Sequence, residues 1–175
     1  VVEVLGNAEY SIEEAIVNDN GFSFMAIGRP EASGCYCKIN TYLKEVISYI
    51  SSYYDYVVID GEAGIEQINR RVMEKVTDLL LITDQSQKGR QVVKTIKEVA
   101  DNLVMYKQIG IIANRLSSLA MKEDISVDNI PVLAKIPMDE ELANYDMNGD
   151  NVFFLPDEAP IVKGVNEALK KIHIL

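Results

Sequence analysis

The sequence is short of metal-ligating side chains, of positive charge and of long apolar runs, and each shortage narrows what the chain can do. Its 175 residues include one histidine, His173, and two cysteines, Cys35 and Cys37. A soft tetrahedral metal site takes four ligands, so cysteine and histidine from a single copy cannot complete one. Lys and Arg number 17 against 27 Asp and Glu, a formal net charge of -10. That balance excludes a large attractive field for nucleic acid or anionic lipid and leaves room only for a local basic patch. No apolar stretch approaches the length of a bilayer, and no basic start precedes a signal-like segment. The expectation is a cytoplasmic protein with reduced thiols, with no nucleic-acid partner and no stable membrane insertion. Repeats and low-complexity linkers are also missing, and the length suits one ordinary core, so residues 1–175 are expected to form a single domain.

The most informative feature present is the pair of cysteines, set in Gly28-Arg29-Pro30-Glu31-Ala32-Ser33-Gly34-Cys35-Tyr36-Cys37. In an extended stretch residues i and i+2 project to one side, so both sulfurs can face one ion while Tyr36 points away. The missing ligands then come from a second copy across a two-fold axis, and the loop implies a metal and a homodimer together. Two other readings stand beside this one: small buried hydrophobes, and a redox pair.

Along the chain, apolar runs alternate with segments of helical period, the signature of an α/β fold with a mainly parallel sheet flanked by helices. Ser11-x-x-Glu14 reads as a capping box opening a helix, and Phe22 to Ile27 as a strand that delivers the cysteine loop. Ile39, Leu43, Val46, Ile47 and Ile50 recur at helical spacing. Tyr56 to Ile59 suits a buried parallel strand ending in Asp60, and Ile65 to Val76 a further helix. Leu79 to Thr83, Ile109 to Ala113 and Pro131 to Ile136 are expected as strands, with a helix through Val92 to Leu103 between the first two. A short helix near Glu140 to Tyr145 and a terminal helix from about Pro160, capped by Asp157, complete the order. The apolar face of that last helix suits packing on the sheet, with a membrane-binding tail as the alternative, and His173 reads as a surface residue. Lys88-Gly89-Arg90 reads as a solvated helix start.

Asp60 precedes Gly61-Glu62-Ala63-Gly64, so apolar strand, acid and glycine turn follow one another as in a Walker B element leading into a phosphate-sensing switch. An acid at the carboxyl end of a strand can hold magnesium through water, and glycines let backbone amides approach a terminal phosphate. Asp60 could equally cap the helix that follows. Asn114 and Pro137 have similar plain readings, as a turn residue and a strand terminator.

In order, Asp60, Thr83-Asp84, Asn114-Arg115 and Ala134-Lys135-Ile136-Pro137-Met138-Asp139 resemble the MinD/ParA/nitrogenase-iron-protein class of P-loop ATPases from Asp55 to about Leu169. The resemblance implies that Asn114 and Pro137, Met138 and Asp139 embrace adenine of ATP or ADP. It also implies that Asp60 organises magnesium while Gly61 and Gly64 sense the γ-phosphate. The cysteine loop is similar to that of the CooC-type accessory ATPases, in which a Cys-x-Cys pair holds a divalent metal between two subunits. This second resemblance implies a metallochaperone that delivers nickel to carbon monoxide dehydrogenase or a related nickel enzyme, with Cys35 and Cys37 as ligands of nickel or zinc. The class also carries a Gly-x-x-x-x-Gly-Lys-Ser/Thr phosphate loop or its lysine-bearing variant, and neither occurs here. The expectation is that this loop and its strand lie upstream of Val1. Residues 1–175 would then be the larger C-terminal part of the ATPase and would not hydrolyse ATP as they stand, with unpaired sheet edges at Tyr56 to Ile59 and Leu79 to Thr83. The alternatives are a positioning or regulatory ATPase of the MinD/ParA kind and a non-catalytic metal-binding remnant.

Overall fold

A computed structural model describes residues 15–19, 21–26, 36–61 and 75–175, the stretch 36–43 by its backbone alone. The chain divides into two compact units, Val1–Ile59 and Asp60–Leu175.

In the first unit, β1 (Val17–Asp19) pairs antiparallel with β2 (Phe22–Phe24), Val17 opposite Phe24. Gly21 takes a φ of 90°, a left-handed conformation that only glycine adopts freely, and it closes the hairpin between the two strands. Phe22 therefore opens a three-residue hairpin arm rather than a strand running to Ile27, because the reversal at Gly21 gives it an immediate antiparallel partner. Helix α1 spans Tyr36–Ser51 and buries Val46. It ends where the Ser51 hydroxyl donates to the Ile47 carbonyl at 2.5 Å and the Tyr49 and Tyr53 rings meet at 4.9 Å. Beyond it, Tyr56–Ile59 is neither a strand nor buried: Val58 is 95% exposed and Tyr56 66%. The buried parallel strand expected here is thus corrected. An apolar run becomes a buried strand only where a neighbour accepts its ladder hydrogen bonds, and among the described residues none pairs with Tyr56–Ile59.

The second unit is an α/β layer structure. Strands β3 (Asp78–Thr83), β4 (Gln108–Leu116) and β5 (Val132–Pro137) form a parallel sheet in the order β3-β4-β5. Asp78 through Thr83 run in unbroken register with Gln108 through Ala113. Among the described residues β3 pairs only with β4.

The period of two along these strands sorts their side chains onto two faces. Leu81 and Ile111 pack with Val93 of helix α2 (Gln87–Leu103), joined by Val127 and Ile130. Ile112, Ala134 and Ile136 pack with Ala168 of helix α4 (Pro160–Lys171) and with Ile172 just beyond it. Gly164 is buried on α4, and a Cβ there would run into the Ile136 side chain, so the helix lies closer to β5 than any larger residue permits. This apolar face is occupied by the sheet, which answers the membrane-tail alternative for α4. No helix among the described residues is long and apolar enough to cross a membrane.

Helix α3 (Glu140–Asn148) is opened by Asp139 and stopped by Gly149, which has a φ of 71°. Helix α4 opens differently from expectation. Its cap is Ala159 with no side-chain hydrogen bond, and Pro160 fills the first turn. The carboxylate that serves its amides is Asp139, not Asp157: Asp139 Oδ2 accepts from the Ile161 N–H at 3.1 Å. His173 is exposed, as expected.

Candidate functional site

Parallel strands place their following loops along one edge of the sheet, and in open α/β sheets ligands bind at that carboxyl edge. The edge here is built from the turns after β3, β4 and β5.

The turn after β4 is the most unusual. Ala113 pairs with Lys135 and Leu116 with Pro137, so two residues, Asn114 and Arg115, face the single residue Ile136 on β5. This is a β-bulge, and the expected end of β4 at Asn114-Arg115 is instead an irregularity that the strand passes through. Arg115 has a φ of 57°, left-handed and uncommon for a residue with a side chain. The bulge has a packing cause. Ala113 and Leu116 share one buried cluster with Ala120 and Ile125, although residues three apart in a regular strand point to opposite faces. The extra residue turns Leu116 back into the core and leaves Arg115 exposed.

Asn114 is half-buried, and its Oδ1 accepts from the Arg115 N–H at 2.8 Å. That bond fixes the carboxamide plane. Oδ1 keeps a second lone pair, and Nδ2 makes no hydrogen bond among the described residues.

The turn after β5 lies alongside, because β4 and β5 are neighbours. Pro137 has no N–H to give, and the Met138 N–H donates to the Leu116 carbonyl at 3.0 Å. Met138 is 69% exposed and offers a polarizable thioether surface. The Asp139 carboxylate is fully engaged in structure: Oδ1 accepts from Glu141 N–H at 3.1 Å and Leu142 N–H at 3.0 Å, Oδ2 from Ile161.

The turn after β3 completes the edge. Asp84 Oδ1 accepts from the Ser86 N–H at 2.8 Å, and Ser86 Oγ caps α2 by accepting from the Gly89 N–H at 2.9 Å. Hydrogen bonding by Ser86, hydroxyl first and backbone second, holds the Asp84 carboxyl below its ordinary value of 3.8. A Cβ on Gly89 would sit 2.5 Å from Asp84 Oδ1 and 2.6 Å from Thr83 Oγ1. The Lys88-Gly89-Arg90 start is therefore tightly packed at its glycine, where sequence suggested only a solvated helix end. Gln85 bridges two turns: its Oε1 accepts from the Ser117 N–H at 2.8 Å across 32 positions.

The structure thus brings together Asn114 and Pro137, Met138 and Asp139. It does not bring Asp60 to the end of a strand, because Asp60 is exposed and follows the irregular Tyr56–Ile59 segment; Gly61 beside it is half-buried. Gly64 and Cys35 lie outside the described residues. Cys37 lies in the first turn of α1, so the extended geometry expected of the cysteine pair does not extend to it, and its side chain is also outside the description. Among the described residues no group of three or more His, Cys, Asp or Glu is placed to hold a metal ion. Sequence reading missed Gln85 and the bulge. Asp84-x-Ser86 before a helix signals a capped turn, but nothing local announces a bond between residues 85 and 117.

No family model matches the chain. It is 34% identical over 168 residues to an uncharacterized ATP-binding protein of Methanocaldococcus jannaschii, an alignment covering 92% of this chain and 65% of that one. A second uncharacterized ATP-binding protein of the same organism is 26% identical over 165 residues, covering 91% and 64%. The carbon monoxide dehydrogenase accessory protein CooC of Rhodospirillum rubrum is 28% identical over 142 residues, covering 78% and 54%. The chain therefore spans about half to two thirds of the length of the curated relatives it matches. The crystal structure of a ParA family ATPase from Chlorobium tepidum superposes with a TM-score of 0.62 at 18% identity, covering 91% of this chain and 68% of that one. The α/β fold is shared with that ATPase, and the curated relatives support nucleotide binding.

Proposed function

We propose that this chain is part of an ATP-dependent metallochaperone of the MinD/ParA-like class, one that assists maturation of carbon monoxide dehydrogenase or a related nickel enzyme. The observation that carries the nucleotide half is the Asn114 carboxamide, fixed at a bulge between the turns of β4 and β5. Adenine presents an acceptor at N7 and a donor at N6, and a carboxamide with a free amino group and a spare lone pair matches both. Guanine, with acceptors at both places, mismatches one. Such bidentate discrimination is worth about 1–3 kcal/mol. Pro137 and Met138 supply apolar surface for the ring, and Asp139 holds the loop in place through its own hydrogen bonds.

In this reading Asp60 organises magnesium and Gly61 and Gly64 form the switch that senses the γ-phosphate. Cys35 and Cys37 from each of two subunits hold nickel or zinc, closing a tetrahedral set that one chain cannot. ATP binding closes the dimer and hydrolysis reopens it for transfer. The metal half is supported by the likeness to the accessory protein CooC and by the Cys-x-Cys loop.

The test is metal titration of the intact protein, with dimerisation followed by light scattering. Wild type is expected to take up one nickel or zinc ion per dimer in an ATP-promoted manner, and Cys35→Ser with Cys37→Ser to abolish uptake. An unchanged stoichiometry in the double variant removes the metallochaperone reading. A second reading, a MinD/ParA-like positioning or regulatory ATPase, is favoured by the shared fold with a ParA family ATPase. It predicts ATP-dependent association with lipid vesicles or DNA and no effect of metal on the dimer.

A further inference from the structure

We infer that Gln85 is a positioning residue for base recognition: by holding the far side of the β4 bulge it fixes the orientation of Asn114. The inference rests on the proposal that Asn114 faces adenine, and it adds a residue to which neither the motif order nor the resemblance assigns a role.

A bulge with a left-handed residue at its centre is under-determined by its own sequence. Locally, Arg115 with its φ of 57° is supported by one bond, from its N–H to Asn114 Oδ1, and a strand that relaxed to regular geometry would swing Leu116 out of the core. Three attachments beyond that bond hold the irregular form. Leu116 is buried against Ala113, Ala120 and Ile125, which fixes the inner side. The Leu116 carbonyl receives the Met138 N–H at 3.0 Å, which ties the bulge to the β5 turn. The third attachment is the Ser117 N–H, which donates to Gln85 Oε1 at 2.8 Å and ties it to the β3 turn.

Gln85 is itself held on both sides. Asp84 and Ser86 close a turn around it through the 2.8 Å bond between Asp84 Oδ1 and the Ser86 N–H. The Gln85 carbonyl accepts from Arg90 Nη1 at 3.1 Å, one turn into α2. The side chain thus reaches the β4 turn from a backbone anchored to the start of a helix. Ser117 in turn starts the next segment, its Oγ accepting from the Ala120 N–H at 3.3 Å. Remove the Gln85 acceptor and the chain between the bulge and Ala120 loses its only described attachment to β3, while the core contact of Leu116 remains. The consequence falls on the polar, half-buried side of the bulge, where Asn114 sits.

Gln85→Met removes the acceptor at nearly constant length, and Gln85→Glu keeps an acceptor oxygen. Two readouts separate this inference from the nucleotide reading beneath it: hydrogen exchange of the Ser117 amide, which needs no nucleotide, and the ratio of ATP to GTP affinity in the intact protein. For Gln85→Met the Ser117 amide is expected to exchange about 2- to 12-fold faster, the range of one hydrogen bond, with the ATP preference falling by a similar factor. Gln85→Glu is expected to retain most of both, and thermal midpoints to change little. Unchanged Ser117 exchange in Gln85→Met overturns the inference. So does faster exchange with an unchanged nucleotide preference, and so does an equal loss in both variants. A wild-type protein that shows no preference for ATP defeats the Asn114 reading instead, leaving the exchange measurement to decide whether Gln85 fixes the bulge.

Discussion

Two apolar strand-like sequences in this chain meet opposite fates. Ile109-Gly110-Ile111-Ile112-Ala113 lies in the middle of the parallel sheet with Ile111 and Ala113 fully buried, whereas Tyr56-Val57-Val58-Ile59 forms no strand and leaves Val58 95% exposed. By composition the second is the better suited to a strand, being all β-branched or aromatic where the first includes Gly110 and Ala113. What separates them is partnership: β4 has Leu79–Thr83 in register on one side and Val132–Pro137 on the other, with α2 and α4 covering the faces. Strand propensity states a capacity, and neighbours decide whether it is used.

The strongest way to break this contrast is to hollow the partnered region. Ile111→Ala is expected to lower the unfolding free energy by about 2–5 kcal/mol, the range for a buried isoleucine, as read by urea denaturation. A loss below 1 kcal/mol would mean that β4 is not the centre of the core. Overfilling comes next: Gly164→Val drives a side chain into Ile136 and is expected to cost about 1–3 kcal/mol by prying α4 from β5. Asp139→Ala removes the cap of α3 and the acceptor for Ile161, and about 0.5–2 kcal/mol is expected for the cap alone.

The acid limb of the stability profile sharpens the comparison more gently. Asp84 is held below its ordinary 3.8 by Ser86, Asp101 by Lys97 and Tyr106, and Asp124 by Ser126, and all three lie in the partnered unit. A carboxyl whose folded value is lowered stabilises the fold above its unfolded value and loses that contribution as pH falls through the folded one. Thermal midpoints are therefore expected to fall below about pH 4, and Asp84→Asn to make that fall shallower. Smallest of all is Val58→Ala, expected to lie within about 0.5 kcal/mol because the side chain is already in water. A cost of 2 kcal/mol there would erase the contrast.

The partnered half was largely legible in the sequence. Leu79 to Thr83, Ile109 to Ala113, Pro131 to Ile136 and the helix through Val92 to Leu103 lie within a few residues of the observed elements, because buried parallel strands read as continuous apolar runs between helical periods. The errors have two causes. The strand read from Phe22 to Ile27 overlooks the local turn signal of Asn20-Gly21 just before it, whereas Asp157 yields the capping role to Asp139, whose reach to Ile161 is settled by tertiary position. In the candidate site, residue types pointed to Asn114 and the Pro137–Asp139 turn. They could not reveal the bulge, which arises because Leu116 returns to the core, nor a bond spanning 32 residues from Gln85.

Asp139 serves two masters with one carboxylate, Oδ1 for the start of α3 and Oδ2 for the start of α4. Two helix beginnings that share a single fastener come undone as one event. The first-turn amides of both should therefore exchange with solvent at a common opening rate, making residues 139–161 one cooperative unit whose boundaries ignore the helices drawn within it.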